Sequence, residues 1–470
     1  MFIAHTDQFH VLQYRKIKAA GTPLVVPKLS CNQEEFKSNM DLLVQLFSNN
    51  SHQIMNRINI LLIVSLVFSI PQFTNSQSIK NTKFLQNVGI TDSIYSTTLE
   101  ETRTYYVQLP INYNLSDDKK YPVVFILDGE VLLPTVNNVQ SFYSGGFTPE
   151  MILVGISNAN NRTRDLTTSK INEMYGMPFN EKNGEAASFI KFIEYELIPE
   201  IENKYPVTNF RSLIGHSYGG LFTIYTLVNY PELFTNYLAI DPSLDWDNQK
   251  LILEAEEKLA QNNYNGKSLF MCLSGQLHMQ DPNITIDNIM LDTSEFTLFA
   301  RSNIAFSKVL KQHSNNGLSF EWEFYPKDLH GTIPFPSLMD GLISNFDWYQ
   351  MENTNKFNSP NTSKEELYEI VNYRAKKLEK HFRYVVPPYP EDLFNALGYM
   401  SLDMDQQGKA KMFFEFAIEY YPGSPNAYDS MADYYERNED LSNALIYVTK
   451  AYELSKNDYH KQRIETLKNK

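Results

Sequence analysis

The sequence predicts an α/β fold on a mainly parallel central sheet, followed by a smaller all-helical domain. Three observations predict it: apolar runs of strand length, a serine set between one such run and a helix-like stretch, and a C-terminal region whose residues recur at a helical-hairpin period. At 470 residues, 43% hydrophobic and 13% aromatic, the chain can bury more than one core.

The first strand signal is Tyr121-Pro122-Val123-Val124-Phe125-Ile126-Leu127, which ends in Asp128-Gly129 as a central parallel strand entering a tight turn would. Further on, Arg211 to Ile214 reads as the end of a buried strand and Leu221 to Asn229 as a helix without Gly or Pro. Between them stands Gly215-His216-Ser217-Tyr218-Gly219-Gly220, so Ser217 falls on a strand-to-helix turn. The glycines two residues either side let strand and helix approach closely. The amides opening the helix favour negative charge on a tetrahedral intermediate, which suits acyl transfer with Ser217 as nucleophile.

A serine nucleophile needs a base, and in the chain order serine, acid, histidine the base comes last. The alternating run Phe320 to Tyr325 reads as a strand, and His330 stands in the loop after it. His216, beside the serine, is expected to point away from it and reads as packing or as orienting the turn. The acid is expected after the strand Ser268 to Ser274, where Asp281 is the first carboxylate. Asp292 is the alternative, although Asp292-Thr293-Ser294-Glu295 is also a helix-capping pattern. A Ser-His pair supported by backbone or water is the third option. The oxyanion donors expected are the amides of Tyr218 and of Gly129 or Glu130.

Together these residues resemble the Putative esterase family of the α/β hydrolase superfamily, which includes enterobactin-type siderophore esterases and S-formylglutathione hydrolases. The resemblance runs over most of Ile79 to Tyr349. Besides the motifs above it takes in Ile152-Leu153-Val154-Gly155-Ile156-Ser157-Asn158, Arg162-Thr163-Arg164-Asp165-Leu166-Thr167, Glu196 to Glu202, Asp241-Pro242-Ser243-Leu244 and His330-Gly331-Thr332. It implies an α/β hydrolase with Ser217 as nucleophile and His330 as base. The chain departs from it after the seventh strand, where many relatives carry an acid and this chain has Gln276 and Leu277 after Gly275. Arg162 and Arg164 resemble a paired-arginine motif at the family's active-site mouth, able to clamp a carboxylate or phenolate, with ion pairing to Asp165 or another carboxylate the alternative. Trp246 is a candidate pocket wall, with core packing the alternative.

Met55 to Asn59, the apolar Ile60 to Ile70 and the polar Gln72 to Ser78 follow the order of a secretory signal. Residues 55–76 are therefore expected to be a signal peptide cleaved near Ser76-Gln77, with no stable membrane anchor, and the protein periplasmic or secreted. Residues 1–54 read as an overlong gene model. Of the two cysteines, Cys31 and Cys272, the mature chain keeps the second, so no internal disulfide is expected.

The esterase region is expected over 77–350, a polar linker over 351–363 and a helical domain over 364–470. There Leu397, Gly398, Ala410, Phe414 and Ala417 recur as Met431, Ala432, Ala444, Val448 and Ala451 at an offset of 34, the tetratricopeptide period. Such hairpins either brace the esterase region or bind a protein partner. A net charge of -14 argues against a nucleic-acid surface. No metal-ligand spacing, phosphate loop or dinucleotide fingerprint is found, so neither cofactor nor metal is expected. The substrate class implied is a small-molecule ester: a siderophore lactone, a carbohydrate acyl ester or, disfavoured by the export signal, an acyl thioester.

Overall fold

The computed structural model describes residues 89–111, 113, 119–144, 146–278 and 281–470; the expected leader, signal peptide and Cys31 lie outside them. Among the described residues eight strands form one sheet: β1 (Ile90–Ser96), β2 (Glu101–Gln108), β3 (Tyr121–Ile126), β4 (Ile152–Ile156), β5 (Val207–His216), β6 (Asn236–Ile240), β7 (Ser268–Ser274) and β8 (Ser319–Tyr325). Their spatial order is β1-β2-β4-β3-β5-β6-β7-β8. The β1–β2 and β2–β4 pairings are antiparallel and all others parallel. A separate two-stranded hairpin, Glu173–Met174 with Met177–Pro178, was not foreseen from the sequence.

The apolar runs are continuous because helices cover both faces of the sheet. Side chains alternate along β3, so Val123 and Phe125 enter one core while Val124 and Ile126 enter the other. The first core packs against helices Ala186–Phe192, Tyr218–Asn229, Trp246–Gln261 and Leu298–Gln312, the second against Gly129–Tyr143 and Pro334–Asn345. In a parallel sheet the strand ends sharing one edge gather their loops there, which sets the turns after β3, β5, β6 and β8 around one place.

Beyond the sheet the chain is helical. Helix Lys364–Phe382 is followed by the hairpins Glu391–Asp403 with Gln407–Tyr420 and Pro425–Arg437 with Leu441–Ser455, then by Asp458–Lys468. The residues related by the 34-residue offset are all buried, which explains the small side chains among them. The polar stretch before these helices is not wholly a solvated tether, because Phe357 within it is buried in the helical core.

Helix Lys364–Phe382 joins the second core of the sheet. Leu378 and Phe382 pack with Phe210 and Phe346, with the Phe382 ring 5.1 Å from Phe210 and 4.9 Å from Trp348. The buried Arg374 guanidinium donates to the carbonyls of Tyr349, Gln350 and Pro388 at 2.7, 2.9 and 2.7 Å. Its charge thus lies over backbone dipoles that close the esterase region.

Candidate active site

Ser217 is the hinge of the β5-to-helix turn. Its φ of 61° and ψ of −117° form a conformation costly for a residue with a Cβ and tolerated where surroundings enforce it. They do so closely: a Cβ on Gly215 would overlap the Gly219 carbonyl, and one on Gly220 would stand 2.9 Å from Pro242 Cα. The Ser217 amide donates to Ile240 O at 3.0 Å, and its carbonyl accepts from Ser243 N at 3.1 Å. Its Oγ lies 3.3 Å from Ser243 Oγ, which is its hydrogen-bond partner here rather than His330.

His330 comes from the loop after β8, with its amide donating to Gln276 Oε1 at 3.1 Å. Its Nδ1 is 2.7 Å from Asp241 Oδ2, and Asp241 is fully buried at the end of β6. A carboxylate can only accept, so Nδ1 carries the proton and Nε2 is free to take one. The other Asp241 oxygen accepts from Ser274 N at 2.9 Å, and the residue itself sits at φ 42°. The His330 ring also packs against His216, centroids 4.6 Å apart, and against Phe299 at 5.3 Å.

The expected acids are therefore corrected. Asp281 Oδ1 accepts from the backbone and side-chain nitrogens of Asn283, each at 2.9 Å. Asp292 accepts from Ser294 N, Ser294 Oγ and Thr297 Oγ1, and the Ser294 bonds hold its carboxyl down at about 2. Both carboxylates are engaged in turns of their own loop, and it is Asp241 that stands on His330. The sequence did carry a signal: Asp241 follows an apolar strand run directly, as Asp128 does.

His216 is largely buried, and burial together with neighbouring His330 holds it down at about 4 against an ordinary 6.5. Its Nε2 is buried without a hydrogen bond. An unfolded chain takes up this proton as pH falls below 6.5 while the fold refuses it until about 4, so stability is intact above 6.5 and is lost through that window. His216→Gln is expected to flatten this part of the unfolding free energy against pH by about 3 kcal/mol, read by chemical denaturation at several pH values. An unchanged acid limb would assign the loss to other groups.

The expected oxyanion donors open helices: Gly129 and Glu130 begin Gly129–Tyr143, and Tyr218 begins Tyr218–Asn229. Amides of a first helical turn have no intrahelical acceptor. The turn before Gly129 is fixed by Asp128, in the left-handed region at φ 49°, whose amide donates to Asn158 Oδ1 at 3.1 Å.

The three expected substrate contacts have other work. Arg162 grips Asp128, its Nε donating to Oδ1 at 2.9 Å and its Nη2 to Oδ2 at 3.0 Å, and it donates to His216 O at 3.1 Å. Arg164 makes two bonds to Glu101, at 3.0 and 2.6 Å, and a third to Asp165 at 2.8 Å, so the ion-pair alternative describes it rather than a clamp. Hydrogen bonds from Arg164 above all hold the Glu101 carboxyl at about 2. Trp246 is 1% exposed and donates to Ser169 O at 2.9 Å, so it backs Tyr218, 5.4 Å away, instead of lining a pocket. Among the described residues no group of three or more His, Cys, Asp or Glu stands together as metal ligands do.

Residues 96–294 match the family described as Putative esterase. The ferri-bacillibactin esterase BesA of Bacillus subtilis is 28% identical over 206 residues, covering 40% of this chain and 71% of that protein. The siderophore enterobactin esterase of Emericella nidulans is 41% identical over 83 residues, 17% of this chain and 27% of the fungal protein. In structure the chain is similar to an IroE-like serine hydrolase from Shewanella oneidensis, with a TM-score of 0.57 and 27% identity over 71% of this chain and 99% of the other. The sheet order, the serine turn and these matches agree: the chain contains a region similar to the Putative esterase family and is a carboxylic ester hydrolase of α/β-hydrolase fold that carries helical hairpins at its C-terminal end.

Proposed function

We propose that this chain is an exported serine esterase acting on a siderophore-type ester through an acyl-enzyme, with Ser217 as nucleophile, His330 as general base and Asp241 as the acid that orients it. The observation that carries the reading is the 2.7 Å bond between His330 Nδ1 and buried Asp241, formed at the same edge of the sheet as the strained Ser217 turn. Rotation of Ser217 about its side-chain bond exchanges Ser243 for His330. The Oγ proton passes to Nε2 while Oγ bonds to the ester carbonyl carbon. The Tyr218 amide and that of Gly129 or Glu130 receive the oxyanion, and Arg162 keeps the Asp128 turn in place for it. Collapse breaks the bond to the alcohol, which takes the proton from His330. Water, activated by the same imidazole, then releases the acid.

The relatives named as siderophore esterases support a siderophore ester ahead of a carbohydrate acyl ester. The signal-like order of residues 55–76 supports export to the periplasm or medium, and among the described residues no helix is long and apolar enough to cross a membrane. The Arg374 and Phe382 contacts support bracing by the helical region in preference to recruitment of a protein partner. The test is hydrolysis of enterobactin and of a p-nitrophenyl acyl series by the chain starting at Gln77, with fluorophosphonate labelling alongside. Turnover and labelling are expected; a folded protein that shows neither overturns the reading.

A further inference from the structure

The loop that carries Asp241 and Ser243 ends in a second buried carboxylate. Asp245 is 5% exposed, and burial raises its pKa above the usual carboxylate range. Tyr175 Oη donates to one of its oxygens, whereas Oδ1 is buried with no hydrogen-bond partner. An idle acceptor on a buried carboxylate destabilises a fold and calls for an explanation. Its place supplies one, since it lies two residues after Ser243, whose Oγ stands 3.3 Å from Ser217 Oγ and whose amide donates to Ser217 O at 3.1 Å.

What covers Asp245 is a strap fastened at its base. Ser169 accepts from Trp246 Nε1 at 2.9 Å through its carbonyl and donates through Oγ to Asp247 Oδ2 at 2.6 Å. The tip is the hairpin Glu173–Met174 with Met177–Pro178, where Tyr175 sits at φ 50° and is 41% exposed. The tip's hydrogen bond to Asp245 runs through one strained, half-exposed residue, while Met174 and Phe179 pack its base against the core, so Tyr175 can lift while the base stays fixed.

We propose that Asp245 is a specificity-determining residue: when the Tyr175 tip lifts, its unpartnered oxygen accepts a hydrogen bond from a hydroxyl or amide N–H of the substrate, selecting esters with a donor near the scissile carbonyl. The proposal rests on the esterase reading above. A site built to accept from a substrate donor discriminates strongly against the analogue without it, because its own polar group is then left unpaired.

The test compares p-nitrophenyl 3-hydroxybutyrate with p-nitrophenyl butyrate in the wild type, Asp245→Leu and Tyr175→Phe. The wild type is expected to favour the hydroxy ester by about tenfold or more in kcat/KM, and Asp245→Leu to lose that preference mainly through KM. Tyr175→Phe, which removes the hydrogen bond that holds the tip down over Asp245, is expected to lower KM for the hydroxy ester selectively, and it carries the test if Asp245→Leu does not fold. Equal turnover of the two esters by the wild type, or a preference that survives in Asp245→Leu, or an unchanged KM ratio in Tyr175→Phe, overturns the proposal alone. If the wild type hydrolyses neither ester, the esterase reading fails instead.

Discussion

Ser217→Ala is expected to lower kcat by about 10⁴- to 10⁶-fold and to abolish fluorophosphonate labelling, because the attacking oxygen is gone while the oxyanion donors remain. The fold should be undisturbed, since alanine keeps the Cβ that serine already carries at φ 61°. Ser217→Gly separates the two roles of the position. Glycine has no Cβ to strain at that φ, so this variant should be equally inactive yet more stable by about 1 kcal/mol in chemical denaturation. A serine variant with more than a few per cent of wild-type activity would remove Ser217 from the chemistry. A glycine variant less stable than wild type would show that the turn is not strained.

Asp241→Asn is expected to cost about 10³- to 10⁴-fold in kcat with little change in KM. The amide can still accept from Ser274 N through its oxygen, so the loop should hold its shape. Its nitrogen then faces His330 Nδ1 and can only donate, which forces the proton onto Nε2 and leaves the serine facing a donor instead of a base. Asp281→Asn and Asp292→Asn should each stay within about twofold of wild type, because neither carboxylate touches the imidazole. Kinetics of the three variants on one activated ester decide the matter. A large loss in Asp281→Asn with an active Asp241→Asn would return the acid to the loop after β7.

That loop shows where reading a sequence reaches its limit. Strands buried on both faces are visible as apolar runs, and a serine flanked by glycines between a strand and a helix is visible as a turn. Both are local patterns, as is a 34-residue recurrence of small residues. The carboxylate bonded to His330 is not local. β6 and β7 are neighbours in register, Ile240 opposite Cys272, so Asp241 emerges one strand away from where chain order seeks a carboxylate and accepts from Ser274 at the end of that next strand. Strands lie about 4.8 Å apart, a gap an aspartate side chain and an imidazole cross together. Nothing in the one-dimensional order reports that closeness. The same holds for Arg162, Arg164 and Trp246, whose residue types suit a ligand and a buried partner equally; only the positions of Asp128, Glu101 and Ser169 decide between them.

The seat of the imidazole's carboxylate on β6 also redistributes freedom along the rim. The excursion between β7 and β8 touches the histidine's backbone through Gln276, while in its later turns Asp281 accepts from Asn283 and Asp292 from Ser294. Those turns present Leu291 and Phe296 outward, 85% and 67% exposed. Exposed positions such as these two can be diversified, whereas Ile289, fully buried with Leu273 and Ala300, ties the same stretch to the core beside Phe299 and so to the His330 ring.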